Sequence, residues 1–144
     1  MRHRGFSLIE LLIVIVLIGA ISSFAFPMVR RGMEARRVSG ARITITTMNA
    51  KARAIAVQRS RAVRLIIAGN EVRLVSLHPV TGAVTVIEQR DLNTVYGVTV
   101  ASSRDTLLYD PRGLGLQNSA TTIAVSRPGG FADTVVINSL GGVQ

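Results

Sequence analysis

The sequence predicts an α+β chain: a long N-terminal helix, first membrane-spanning and then a stalk, packed against an antiparallel β-sheet body. Three observations predict it. Phe6 to Phe26 is an apolar run whose only charged side chain is Glu10. After Pro27, the apolar residues Val38, Ala41, Ile45, Met48, Ala52 and Ile55 recur at spacings of three and four. Beyond Ser60 the apolar period falls to two. These changes divide the chain into a leader at 1–5, an anchor helix at 6–29, a basic amphipathic stalk at 30–60 and a β-rich body at 61–144.

The anchor comes first. About 21 residues at ~1.5 Å each give roughly 31 Å of helix, which matches the hydrocarbon thickness of a bilayer. Leu8, Ile9, Leu11, Leu12, Ile13, Val14, Ile15, Val16, Leu17 and Ile18 leave no polar face for water. The rest of the chain is too short to wrap such a helix as a soluble core. Glu10 therefore needs a partner, because an ionised carboxylate in hydrocarbon is costly unless a positive group or the interface receives it. Pro27 removes a backbone donor and crowds the carbonyl of Ser23, which predicts a bend near Ser22–Phe24.

The stalk faces its apolar residues toward the body, leaving Arg42, Asn49 and Arg53 for solvent or partners. Gly40 with Thr44, Thr46 and Thr47 predicts local fraying. In the body, Val63, Leu65 and Ile67, then Val72 and Leu74, Val84 and Val86, Val98 and Val100, Ile123 and Val125, and Val135 and Ile137 point inward from strands. Gly69-Asn70, Pro79 to Gly82 and Pro128-Gly129-Gly130 supply turns, with no helix between them. Arg64 and Arg73 fall on the outer face of the sheet.

The formal charge of +9 is uneven. Arg30 to Arg64 holds nine Arg and Lys51 against Glu34, whereas from Leu65 onward five Arg face six acids. A basic helix beside a membrane suits lipid head groups or acidic subunits. DNA phosphates are the alternative, through that stretch or through Arg73, Arg104 and Arg127. The absence of Trp and the scarcity of aromatics remove the usual stacking platforms for single strands.

Chemistry is not encoded. His3 and His78 do not sit at metal-ligand spacing, and the chain has no Cys. Glu88, Asp91, Asp105 and Asp110 are placed at strand ends, too sparse for a calcium loop. Gly113-Leu114-Gly115 and Gly141-Gly142 lack the following Lys and helix of a phosphate loop. No base accompanies the Ser and Thr residues, so the expected role is structural, with no catalytic residue, metal or cofactor.

Gly5-Phe6-Ser7-Leu8-Ile9-Glu10, after the basic leader Met1-Arg2-His3-Arg4, resembles the class III signal of type IV prepilins and pseudopilins. The resemblance implies that a prepilin peptidase cuts between Gly5 and Phe6 and that the Phe6 amine is N-methylated. It further implies that Glu10 pairs with the N-terminus of a neighbouring subunit during assembly. Pro27 matches a helix-kinking proline of these proteins. Tyr109-Asp110-Pro111-Arg112-Gly113, followed by a closing hairpin from Ala120 to Asn138, resembles the H-type minor pseudopilins and their pilus counterparts, the GspH/FimT family. Asp110, Pro111, Arg112 and Gly113 read as a structural turn or as a partner contact. The family implies a type II secretion pseudopilus, with the chain among minor pseudopilins near the tip, above a major pseudopilin shaft. The leader would be cytoplasmic, the anchor in the inner membrane and the body periplasmic.

Two alternatives accompany this reading. A minor pilin of a type IV pilus that captures DNA has the same anchor, although the tail after Arg127 carries no cation. Ser23-Phe24-Ala25 could direct signal peptidase and release a soluble β-domain, which Glu10 inside the apolar run opposes. Arg30, Arg31, Arg36 and Arg37 beyond the span outnumber Arg2 and Arg4 before it, a charge balance that by itself favours the opposite topology.

Overall fold

A computed structural model describes residues 7–78 and 80–144; the leader, Gly5, Phe6 and Pro79 lie outside the described residues. Helix α1 runs from Leu8 to Arg59, followed by β1 (Val63–Ala68), β2 (Glu71–Leu77), β3 (Val84–Asp91), α2 (Leu92–Tyr96), β4 (Thr99–Ser102), β5 (Thr106–Tyr109), β6 (Thr121–Arg127) and β7 (Phe131–Ile137). By internal contacts the chain divides into two units, Met1–Glu34 and Ala35–Gln144.

In the first unit the helix buries nothing of its apolar window, which has a mean hydropathy of 2.6. It is long and apolar enough to cross a membrane. Pro27 lies within α1, and one turn earlier the Ser23 hydroxyl donates to the Gly19 carbonyl at 2.9 Å.

In the second unit the expected amphipathicity is present: Val38, Ala41, Ile45, Met48 and Ala52 are buried, while Ile55 is only partly buried and Ala56 takes the last place in the stripe. The helix does not fray at Gly40 and the threonines. Thr44 donates its hydroxyl back to the Gly40 carbonyl at 3.0 Å and also meets the Tyr96 hydroxyl at 2.8 Å. A Cβ on Gly40 would lie 2.8 Å from the Tyr96 ring, so the missing side chain is space that the ring occupies. After Arg59 the helix closes with a Schellman arrangement. Ser60 takes a left-handed φ of 47°, and the N–H groups of Ser60 and Arg61 donate to the carbonyls of Val57 and Ala56 at 3.1 Å.

The body holds two antiparallel sheets, where the sequence suggested one: a four-stranded sheet ordered β3-β2-β1-β5 and a three-stranded sheet ordered β4-β6-β7. Both contribute to one core with the helix, through Leu65, Leu74 and Leu107 from the first and Ile123, Val125 and Val135 from the second. The β1–β2 link is the expected Gly69-Asn70 turn, with Gly69 at φ +58°. Asn70 also joins the two sheets: its carbonyl accepts from the Leu92 N–H and its Oδ1 from the Val100 N–H, both at 2.9 Å.

Two readings of the body are corrected. Val84 and Val86 do not point inward; they are 57% and 52% exposed. The β2–β3 register shifts at Leu74/Val75, so Leu74 faces Glu88, Val75 faces Val86, and Ile87 is the extra residue. That one-residue slip reverses the face of everything before it in β3. The second correction is α2, a helix where none was expected. Asp91 caps it through Oδ1, which accepts from the N–H groups of Asn93 and Thr94 at 2.8 and 3.1 Å, and Gly97 ends it at φ +65°. At five residues α2 is too short to establish a helical period.

Candidate functional site

The assembly candidate begins at the start of α1. The Ser7 carbonyl accepts from the N–H groups of Glu10 and Leu11 at 3.1 and 3.2 Å, which places Glu10 in the first turn. A carboxylate there lies at the positive end of the helix dipole. Around and beyond it Leu8, Ile9, Leu12, Ile15, Phe24 and Phe26 are all more than half exposed. The surface has the composition of a protein core and is exposed among the described residues. Gly5 and Phe6, the positions expected for cleavage and methylation, precede the described residues.

The Asp110–Gly113 turn is built around one carboxylate. Asp110 Oδ1 accepts from the N–H groups of Arg112 and Leu114 at 2.9 and 2.8 Å, and Oδ2 accepts from Arg112 Nε at 2.9 Å. The Leu114 N–H, then the Arg112 groups, hold the Asp110 carboxyl below its ordinary pKa. Gly113, at φ +78°, lies so close to the stalk that a Cβ would meet Val57 at 2.9 Å. Its carbonyl accepts from Arg53 Nε at 3.0 Å. The turn therefore fastens the loop to α1, while the Arg112 side chain stays 80% exposed.

A lowered carboxyl pKa stabilises the fold above the unfolded value, near 4, and that stabilisation is lost as pH falls through the folded value. Asp110→Asn removes this dependence. The stability difference between wild type and variant, followed by chemical unfolding from about pH 6 to pH 2, should shrink as the carboxyl titrates. A difference constant with pH would contradict the assignment.

Sequence reasoning missed the buried polar centre of the body. Asn49, expected to face outward, is 1% exposed. Its Nδ2 donates to the Gly141 carbonyl at 3.0 Å, and its Oδ1 accepts from the Tyr109 hydroxyl. Burial pushes that hydroxyl up to about 12. A Cβ on Gly141 would lie 2.5 Å from the Tyr109 ring, so this glycine admits the ring as Gly40 admits Tyr96. The available signal was the angular position of Asn49, directly after Met48 and one turn before Ala52 and Arg53, on the margin of the buried stripe.

The arginines named for phosphate contact have structural work. Arg127 donates to the carbonyls of Tyr96 and Gly97 at the C-terminus of α2. Arg104 donates to Ser119 at 3.1 Å, and Arg73 lies 3.4 Å from Glu71. Within the stalk, Arg42 meets Asp133 at 3.6 Å and Lys51 meets Glu88 at 3.0 Å. Glu88 is thus not a strand-end turn residue: it sits inside β3, its carboxyl pKa lowered first by Lys51 and then by Arg90. Among the described residues no group of three or more His, Asp or Glu could hold a metal ion.

The prokaryotic N-terminal methylation motif matches residues 1–26. No curated protein matches the sequence. Two crystal structures of the type IV minor pilin FimU from Pseudomonas aeruginosa strain PAO1 share the fold, each at 17% identity. One has a TM-score of 0.63 over 76% of this chain and 87% of FimU; the other has 0.58 over 74% and 90%. A long N-terminal helix, headed by a methylation motif and packed through its second half on antiparallel sheets, makes this a type IV pilin-like fold.

Proposed function

We propose that the chain is a minor pseudopilin of a type II secretion system. It is held in the inner membrane by its apolar helix, with the body in the periplasm, and is later drawn into the pseudopilus near its tip for protein export. Other minor and major pseudopilins are its neighbours. The observation that carries this reading is an apolar helix surface exposed on every side and interrupted by one acid, Glu10, in the first turn. Two surroundings satisfy such a surface: lipid, and a bundle of like helices. The basic stalk beyond it suits anionic head groups.

A second reading, a minor pilin of a type IV pilus, is favoured by the likeness to FimU. Both readings share the processing steps at Gly5 and Phe6 and the assembly role of Glu10. Deleting the chain stops protein export under the first reading and pilus formation under the second. DNA capture draws no support from Arg73, Arg104 and Arg127, which already serve protein groups.

Mass spectrometry of the natively expressed chain tests the shared steps. The expected product begins at Phe6 and carries one methyl group on its amine. A product that begins after Ala25, with the apolar helix discarded, would overturn both readings.

A further inference from the structure

Among the described residues, three of the four sheet edges are met by other parts of the chain over some of their length. Along β5, Tyr109 bridges Gly115, and the Leu116 N–H donates to the Leu108 carbonyl at 2.9 Å. At the end of β7, Ile137 bridges Val143, and the Gln144 N–H donates to the Val136 carbonyl at 2.9 Å. β4 has four residues, and the Asn70 side chain caps the Val100 N–H. Strand β3 differs. It has eight residues, it ends the four-stranded sheet, and among the described residues no strand or bridge lies along its outer side.

Natural sheets blunt such edges with charge, proline, bulges or covering segments. Here the bulge at Ile87, with Glu88 and Arg90, blunts the second half; Val84, Thr85 and Val86 are exposed, uncharged and free of proline. Beside this strand a cleft of about 270 Å³ opens between α1, β3 and α2. Met48 and Leu92 are its buried apolar lining, while Ile43 and Val95, also lining it, are 61% and 58% exposed.

We propose that the β3 edge receives an extended segment of a different pilin-like subunit, which adds to the sheet as a fifth strand and turns alternate side chains toward the cleft. This rests on the filament-subunit reading. A second copy of the chain does not suit the edge. Pairing β3 with β3 about a two-fold axis would turn the stalks of the two copies end for end. The edge that runs antiparallel to β3 is β5, and in this chain the second half of β5 is already engaged by Gly115 and Leu116. Among the described residues β3 is thus the longest sheet edge with no bridge along it, a place where one unlike neighbour can add. Charge narrows the partner further. Lys51 and Arg90 share the single carboxylate of Glu88, at 3.0 and 3.1 Å, which leaves the rim one cation in excess. The incoming segment therefore presents an apolar side chain to the cleft and an acid to its rim.

Hydrogen exchange of the full-length chain, in detergent and in filaments sheared from cells, tests this. Outward-facing amides of Val84–Asp91 should exchange roughly tenfold or more slowly in the filament, with β6 unchanged. Equal β3 rates in the two states would overturn the strand-addition proposal and leave the subunit reading standing; absence of the chain from filaments would remove both. Because the chain has no cysteine, Val86→Cys with a bifunctional crosslinker gives a second measurement. The expected adduct joins it to an extended strand of another pilin-like subunit. A link to a second copy, or none, would count against the proposal.

Discussion

Glu10→Val should leave the chain in the membrane and largely exclude it from the filament. Insertion does not suffer, because a carboxylate at mid-bilayer costs about 2.5–3.5 kcal/mol on the insertion scale, while valine is slightly favourable. Assembly does suffer. In the proposed bundle of apolar helices, Glu10 supplies the one negative charge on a surface otherwise uncharged and rich in Leu, Ile and Val. A neighbour's cationic amine left without it is buried and unpaired, at a cost of about 3–5 kcal/mol. That corresponds to roughly a hundredfold loss of incorporation or more. Quantitative immunoblotting of membrane and sheared-filament fractions measures it. Equal incorporation of variant and wild type would show that Glu10 does not pair. Glu10→Asp keeps the charge but shortens the reach, and an intermediate value is expected.

The largest effect on stability should come from Asn49→Leu. The replacement fits the volume but leaves the Tyr109 hydroxyl and the Gly141 carbonyl without the partners they have now. Each orphaned group costs about 1–3 kcal/mol, so the body should lose about 2–6 kcal/mol. Its thermal midpoint should fall by roughly 10–15 °C or more. Tyr109→Phe in the same chain removes one of the two orphans and should recover part of the loss. If the double variant is no more stable than Asn49→Leu alone, the hydroxyl is not the group left wanting.

The long elements were legible because their periods are long. Apolar positions at spacings of three and four, five of the six buried, located the inner face of the stalk, and alternation located β1, β2, β6 and β7. The failures share a cause. The slip at Ile87 is a single residue, and nothing in Val84-Thr85-Val86-Ile87 marks where the parity changes. Helix α2 is set by its caps, Asp91 and Gly97, which as isolated letters read equally well as a turn. Asn49 and Gly40 are decided by what comes to meet them, Tyr109 and Tyr96, from sites far along the chain. The candidate assembly site was the most legible part, because an apolar stretch with one acid needs no tertiary information to be noticed. The open edge of β3 was the least legible, since an edge is defined by the strand that is absent.

Every side chain of the body's core belongs to Val38 or a later residue. Among the described residues before it none belongs to that core, so in the proposed assembly exchanging lipid for protein around the anchor helix asks nothing of the body's fold. A subunit made this way can be stored, moved and locked in place as a finished object, with only its tether changing company.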